Sequence, residues 1–263
     1  LRDPEQFWET DKYTRSMQIQ STAGVILKLT KLTDTSLIVT WFTRDFGKLK
    51  TVAKGARRPK SPFLGKLDLF YLDDLTFIHS RRSELHILKE CAVNEAFPKL
   101  REDFSTMARA SYLCELVDAT TEAEHSVPKV FEALEGGLRR MGEWERGRMG
   151  DSALRRFELI LFEALGHSPR LTRCAKCSNA LAGEVFFAAR AGGAFCGECA
   201  RGVSPKFKVE AESLRLLREV ARGNESVAPT EAQSRHWEQV SAAMLKEVLG
   251  VWPKSRQFLG GAR

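Results

Sequence analysis

Four cysteines carry the most specific chemistry in this chain. "CAKC" spans Cys174–Cys177 and "CGEC" spans Cys196–Cys199, with 18 residues between them. Each Cys-x-x-Cys can set two thiolates along one edge of a tetrahedron. The intervening "AGEVFFAARAGGAFC" reads as a hairpin that brings the two edges together. Four thiolates so placed select Zn²⁺, and a site closed by four protein ligands leaves no position for water or substrate. One structural zinc per chain is therefore the expected cofactor. A redox pair would open a helix in a thioredoxin-like βαβ setting, which the pattern lacks. Cys91 and Cys114 stand alone among apolar residues and are expected to pack as small hydrophobes. No secretory signal is visible before them, so a reducing cytoplasm rather than a disulfide framework is expected.

Charge is the second signal. The chain of 263 residues carries a formal net charge of +7. Residues 17–100 hold 14 Lys and Arg against 8 Asp and Glu, whereas residues 101–263 hold 24 against 22. Within residues 44–66 lie Arg44, Lys48, Lys50, Lys54, Arg57, Arg58, Lys60 and Lys66, with Asp45 as the one acid. The densest part is "KGARRPKSPF", Lys54 to Phe63. Cations so concentrated point to a polyanion. No apolar run approaches the roughly 18–20 residues that span a bilayer, so no membrane partner is expected.

These residues need elements to position them. From Gly24 to Ala96 the pattern is β: "GVILKLT" (24–30), "SLIVTWFT" (36–43), "KLKTVAK" (48–54), "LDLFYLDDLTFIHS" (67–80) and "ELHILKECAV" (84–93). A bulge is expected near Asp73–Asp74, with both carboxylates solvated. Five short strands in succession suggest a small closed barrel, best of the OB type. From Phe104 the period becomes 3.6. Met107, Ala110, Leu113, Cys114 and Val117 share one helical face, as do Val130, Leu134 and Leu138. Leu154, Phe157, Ile160, Leu161 and Leu165 mark a third helix, with Asp151 as N-cap and Gly166 as its stop. Residues 209–221 and 231–250 give two more, the last with a stripe at Trp237, Val240, Met244 and Val248. The fold class is thus α+β and multidomain. Residues 1–16 form an N-terminal extension ahead of Met17, which reads as the natural start or near it. Residues 17–98 form the barrel, 99–170 and 203–263 an all-α domain, and 171–202 an inserted zinc module. Residues 142–151 read as a flexible connection.

Catalytic patterns are absent. The chain has no phosphate-binding Gly-rich loop, no dinucleotide fingerprint, no His-Glu-x-x-His and no Gly-x-Ser-x-Gly. Five histidines, His79, His86, His125, His167 and His236, are scattered with none at ligand spacing to another. A non-enzymatic binding protein is expected. The competing readings are an RNA-binding barrel-plus-zinc protein of the translation apparatus and a metal-dependent nuclease using Asp73 and Asp74.

Several segments, in order, resemble the RecO family of bacterial recombination mediators: "TRDFGKL" (43–49), "AKGARRPKSPFLGKLDLF" (53–70), "GHSPRLTRCAKC" (166–177), "CGEC" and a closing "PKSRQFL" (253–259). The four-cysteine site is not universal in that family, but all four cysteines are present here. The resemblance implies an OB-fold, a helical domain and a zinc module. It also implies binding to single- and double-stranded DNA, annealing of complementary strands, and loading of recombinase on gapped DNA. The partners would be RecR and the acidic C-terminal tail of single-strand binding protein, and the setting the cytoplasm, associated with the nucleoid. In an OB-fold the inter-strand loops rim the nucleic-acid face. The eight cations of residues 44–66 would contact phosphates there, with Phe46 as an exposed stacking platform. Arg139, Arg140, Arg155 and Arg156 are the candidates for holding the acidic tail. The barrel is expected to bind DNA largely independently of the zinc module.

Overall fold

The computed structural model describes residues 18–143, 149–224 and 227–259. The expectations placed on residues 1–17 and on the middle of the 142–151 connection lie outside the described residues. Two compact units result. One comprises the chain to Ala96 together with Thr121–Ser126; the other comprises Phe97–Thr120 and the chain from Val127 onward.

The first unit is a closed five-stranded barrel: β1 (Gln18–Lys31), β2 (Leu37–Thr43), β3 (Gly47–Ala53), β4 (Leu72–His79) and β5 (Leu85–Glu95). Around the barrel the order is β1-β2-β3-β5-β4, with β3 and β5 parallel and the other pairs antiparallel. That order is the OB arrangement, in which closure leaves no free edge. Alternation decides the inside: Ile26, Val39, Trp41, Leu49, Leu75, Phe77, Leu88 and Cys91 fill the core. The Trp41 indole N–H donates to Thr51 Oγ1 at 2.8 Å, so the largest buried side chain leaves no polar atom unmatched.

β4 starts later than its sequence pattern indicates. Phe70 adopts φ 70° and exchanges backbone hydrogen bonds with β1: Phe70 N–H to Ile26 O at 3.0 Å, and Ile26 N–H to Tyr71 O at 2.9 Å. Residues 67–71 therefore close a long β3–β4 loop instead of extending the strand. The bulge does fall where β4 meets β5, between Leu72 and Asp73. Its carboxylates part company, however. Asp74 is exposed, while Asp73 is fully buried with neither carboxylate oxygen hydrogen-bonded. Burial foremost, with Asp74 adding to it, pushes the Asp73 carboxyl up to about 7 against the opposing pull of Cys91 and Lys66. The expectation of a solvated pair fails at Asp73 because the bulge turns its side chain inward.

Thr121–Ser126, which follows the first helix in sequence, belongs to the barrel unit. Ala123 bridges Lys48 at the start of β3, and Glu124 N–H donates to Lys48 O at 2.8 Å. Gly47 permits this. Its φ is +64°, and a Cβ there would lie 1.9 Å from the His125 carbonyl oxygen.

The second unit is helical: α1 (Phe104–Thr120), α2 (Pro128–Glu143), α3 (Met149–Ala164), α4 (Ala211–Ala221) and α5 (Glu231–Ala243). α1 is buried beyond the single expected face, since Tyr112 and Leu116 are inside along with Leu113, Cys114 and Val117, while Met107 is partly exposed. α2 approaches closely enough that a Cβ on Gly137 would sit 2.9 Å from Leu113. α3 begins at Met149, so Asp151 lies inside the helix and not at its cap. It does stop at Gly166, where φ is +79° and His167 N–H reaches Phe162 O at 2.7 Å. α5 widens into a π-helical turn over Met244–Leu249. The wider turn carries Leu245 into the core and leaves Val248 half-buried. Between α3 and α4 lies a small antiparallel sheet of β6 (Val185–Ala188), β7 (Gly193–Cys196) and β8 (Phe207–Val209), ordered β7-β6-β8.

Candidate nucleic-acid interface and metal centre

The loop from Lys54 to Tyr71 is a succession of tight turns. Backbone N–H groups of Ala56, Arg58, Ser61, Leu64 and Lys66 each donate to the carbonyl three residues before. Gly55 has φ +67°, so it serves the turn as well as any close approach. Phe63 is the anchor: it is buried with the barrel core, and Ala56, Leu67 and Tyr71 pack against the same cluster. Arg57 ties the loop to the β1–β2 turn, its backbone N–H meeting Thr35 O at 2.9 Å and its Nη1 meeting Asp34 O at 3.2 Å. Between these fastenings Arg57, Arg58 and Lys60 remain exposed, as do Lys54 before them and Lys50 on β3. Arg44 is exposed at the β2–β3 turn, and Lys48 and Lys66 are half-buried. The nearby acid Asp45 accepts the Thr22 hydroxyl at 2.6 Å.

The aromatic expectation needs correcting. Trp41 and Phe42 are both fully buried. Phe46 is half-buried and meets Phe77 edge-on, with centroids 5.5 Å apart and planes at 89°. It packs against the barrel core, so it is not an exposed platform.

The four thiol groups of Cys174, Cys177, Cys196 and Cys199 converge, with all four sulfurs within 4.8 Å of one another. Cys177 and Cys196 lie 3.9 Å apart, close to the roughly 3.8 Å edge of a tetrahedron with Zn–S bonds of about 2.3 Å. The backbone has prepared the site. Burial opposes ionisation of Cys174, but N–H groups of Cys177, Cys196 and Lys176 aimed at its sulfur outweigh it and bring the thiol down to about 6. Cys199 moves the other way, to about 12, chiefly through Cys196, because neighbouring thiols compete for the same protons. A divalent cation resolves that competition by taking all four as thiolates. The donor set and spacing fit zinc, and β6 and β7 hold the second pair by placing Val185 opposite Cys196. Ala188, Phe195 and Ala200 pack beside Cys174. His167 is exposed and not part of the cluster.

Two histidines that looked scattered in sequence meet in the barrel. His79 and His86 flank the β4–β5 hairpin and stack, centroids 4.6 Å apart and planes at 24°. Glu124 reaches both, 3.3 Å from His79 Nε2 and 3.2 Å from His86 Nε2. This is not the geometry of a metal site. Ring-nitrogen lone pairs lie in the ring plane, and no ion can lie in two nearly parallel, stacked planes at about 2 Å from both nitrogens. His86 Nδ1 also accepts the Ser80 N–H at 3.1 Å, which places the proton of the neutral ring on Nε2. Burial above all, and then the His79 charge, push the His86 pKa down. The trio acts as a clasp for Thr121–Ser126. Its only sequence signal is one histidine on each side of a short hairpin.

The expected docking arginines separate in the same way. Arg155 is buried: Nη1 donates to Glu158 Oε2 at 2.6 Å and Nη2 to Glu238 Oε2 at 2.8 Å. Arg256, from "PKSRQFL", joins it by donating to Glu238 Oε1 at 2.5 Å and to the Tyr112 hydroxyl at 2.8 Å. Glu115 fixes that segment, accepting the N–H groups of Lys254 and Ser255 at 2.8 and 2.9 Å. Arg155 is therefore a structural member of a buried ionic network, unavailable to a partner. Arg139 is exposed and lies 3.3 Å from Glu135. Arg140 and Arg156, with Lys129, Ala133 and Ile160, line a cavity of about 260 Å³ between α2 and α3, whose wall also includes Glu132 and Glu163. Among the described residues no helix is long and apolar enough to cross a membrane.

The chain is similar in sequence to known proteins. The family profile described as recombination protein O N terminal matches residues 17–97, and that described as recombination protein O C terminal matches residues 101–257. A protein of Pelotomaculum thermopropionicum named DNA repair protein RecO is 31% identical over 202 residues, covering 77% of each chain. One of the same name from Anaeromyxobacter dehalogenans is 31% identical over 241 residues, 90% of this chain and 94% of the relative. A third, from Roseiflexus sp., is 30% identical over 253 residues, 94% of this chain and 87% of the relative.

Proposed function

The chain belongs to the recombination protein O (RecO) family, and on that premise we propose that it is a non-enzymatic DNA-repair mediator. It binds single- and double-stranded DNA without reading sequence, anneals complementary strands, and helps load recombinase on gapped DNA together with RecR. The observation that carries this reading is the β3–β4 loop: exposed Arg57, Arg58 and Lys60 on a chain of turns stapled to the barrel by Phe63. Cations fixed on a rigid loop neutralise phosphates and release counterions while losing little conformational freedom. Annealing needs no catalytic group. It needs strand repulsion screened while bases stay free to search.

Zinc holds the four-cysteine module closed, through Cys174, Cys177, Cys196 and Cys199. Its bound form supplies structure, since four protein ligands leave no place for substrate. The cavity between α2 and α3 suits the acidic tail of single-strand binding protein, with Lys129, Arg140 and Arg156 for carboxylates and Ala133 with Ile160 for an apolar end. Arg139 and Arg155 are not among the residues that line it. The protein works in the cytoplasm, at the nucleoid.

Replacing Arg57, Arg58 and Lys60 by Ala tests the reading. Affinity for single strands of different sequence should fall by a common factor. The slope of log K against log salt should shrink by up to about 2, near 0.7 per lost contact. Annealing measured without nucleotide should fall with it, at unchanged melting temperature. The matched control is Arg139, Arg140 and Arg156 to Ala, which should spare binding to bare DNA. Wild-type affinity and slope in the loop variant, with both lost in the control, would move the DNA face to the helices. A preference for structured RNA over single-stranded DNA would instead place the protein in the translation apparatus.

A further inference from the structure

Residues 170–208 carry seven lysines and arginines against two glutamates, Glu184 and Glu198. The remainder of residues 101–263 holds 17 basic and 20 acidic residues, so the positive surplus of the C-terminal part resides in the zinc module of residues 171–202 taken together with its flanks, Arg170 before it and Lys206 and Lys208 beside and on β8. All seven cations are exposed. Among the described residues only Lys208 has an ion-pair partner, Glu184 at 2.8 Å. Three cations on or just past α4 and α5 are matched instead: Arg215 with Glu212 at 2.6 Å, Arg222 with Glu219 at 3.1 Å, and Arg235 with Glu231 at 2.6 Å. A solvated protein surface tends to intersperse the two signs, as those three pairs do, whereas six of the seven cations of residues 170–208 have no acidic partner among the described residues.

The module's cations gather where the metal would fix the backbone. Lys176 lies within the first Cys-x-x-Cys, and its own N–H faces the Cys174 sulfur. Arg173 adjoins it and donates to Ser178 O at 3.1 Å. Arg201 sits on the short 3₁₀ turn that starts at Cys199. Lys206 lies over the Phe186 ring, 5.8 Å from its centroid, and Lys208 is the cross-strand partner of Phe186. Phe186 is half-buried and packs with the cysteine cluster, so these cations share a surface with an aromatic ring beside the knuckles. Neutralising the metal centre does not account for them. Zn²⁺ with four thiolates has a net charge of two minus; that plus two glutamates matches the four cations within residues 171–202, and the three flanking cations, Arg170, Lys206 and Lys208, stay in excess.

We propose that the zinc module is a second phosphate-binding surface, which takes the backbone of a second single DNA strand. The proposal rests on the annealing function stated above and deepens it: the barrel loop holds one strand and the module holds the other. Each surface has its own means of order, apolar anchoring in one and metal in the other. Two separate cationic surfaces hold two polyanions on one molecule without forcing either into a fixed register.

The test uses the full-length, zinc-loaded protein and two oligonucleotides that cannot pair, one labelled with a fluorescence donor and one with an acceptor. Wild-type protein should bring both strands onto one molecule and give energy transfer. Lys176→Ala with Arg201→Ala and Lys206→Ala should keep its zinc, lose most of that transfer, and anneal at least about tenfold more slowly. Its salt slope should shrink by up to about 2. The charge-preserving set Lys176→Arg, Arg201→Lys and Lys206→Arg should restore all three readouts. If the triple alanine variant fails to hold zinc, Lys176→Gln alone serves, with an expected slope change of about 0.7. The Lys176 side chain makes no hydrogen bond among the described residues. A zinc-loaded module variant with wild-type transfer, slope and annealing, beside a loop variant impaired in all three, would overturn this inference and leave the DNA function standing. If neither variant changes any readout, the DNA reading itself falls.

Discussion

The barrel loop and the zinc module hold exposed positive charge by opposite means. On the loop, Phe63 buries itself in the barrel core and backbone turns do the rest, so order there derives from the same apolar burial that folds the barrel. In the module the local core is small: Cys174, Ala188, Phe195 and Ala200, with a few half-buried neighbours. That cluster alone is too small to offset the ordering of the knuckles, at roughly 1–2 kcal/mol per residue for the backbone, although Leu171, Val185, Phe187 and Ala194 of the same stretch are also buried. A metal has to make up that difference. One cationic surface should therefore survive chelation and the other should not, although the two look alike as charge.

The largest expected effect breaks the module alone. Structural zinc contributes on the order of 10 kcal/mol to a small knuckle. Cys174→Ser with Cys177→Ser should abolish the binding of about one zinc per chain. Amide exchange should then speed up across residues 171–202 and stay slow in β1–β5. Protein purified without chelator that carries no metal would refute the zinc assignment. Rapid exchange throughout the barrel of the variant would refute the independence of the two surfaces.

A smaller effect concerns the arginines that carry structure rather than surface. Arg256 lies between Glu238 and Tyr112, with Arg155 and Glu158 completing the buried network. Removing Arg256 leaves buried Glu158 with Arg155 and strips a partner from Glu238, which is about half exposed, so the cost is about 1–3 kcal/mol and not the larger penalty of a fully buried pair. Arg256→Ala should lower the unfolding free energy, read from the denaturant midpoint and slope, by that amount while sparing zinc content, because the module's metal ligands lie elsewhere. Loss of only a few tenths of a kcal/mol would mean that the network is solvated. Arg139→Ala makes the contrast, since its exposed pair with Glu135 is worth under about 1 kcal/mol.

What the sequence disclosed follows from how local each signal is. The five strands and their barrel closure were legible because β-branched residues alternate over short runs, and the metal ligands because Cys-x-x-Cys fixes two positions at once. The helical stripes were legible except in α1, where Tyr112 and Leu116 are buried and Met107 is not, and at the π-turn, which shifts the face from Val248 to Leu245. Pairings across long separations were hidden. Glu238 is 83 residues from Arg155, so the Arg155–Arg156 doublet looked like a surface feature. Glu124 is 45 residues from His79, so the histidine clasp had no visible third member. Phe46 misled for a local reason: it lies in a turn, where exposure is the usual outcome, but its ring leans back onto Phe77.

Asp73 gives an expected effect no larger than that of Arg256 and asks whether the barrel carries a cost that the module avoids. Its carboxyl is buried without a hydrogen bond and titrates at about 7, against about 3.9 in an unfolded chain. The folded state thus prefers the protonated form. Below about pH 4 both states are protonated and the group is neutral in its effect. As pH rises from about 4 to 7 the unfolded chain ionises first, so stability is lost across that window. The loss is at most about 4 kcal/mol above pH 7. Asp73→Asn removes the charge but leaves an amide equally short of partners, at about 1–3 kcal/mol. The net gain at pH 8 should therefore be about 1–3 kcal/mol, and at pH 4 the variant should be no more stable than wild type. Denaturant midpoints measured at both pH values decide it. Equal midpoints at pH 8 would mean that Lys66, already half-buried nearby, or a water matches the carboxylate and the barrel carries no such cost. The same variant bears on the nuclease reading: magnesium-dependent cleavage present in wild type and lost in Asp73→Asn would make this carboxyl catalytic, whereas its burial among β4, β5 and Cys91 makes a proton its expected occupant.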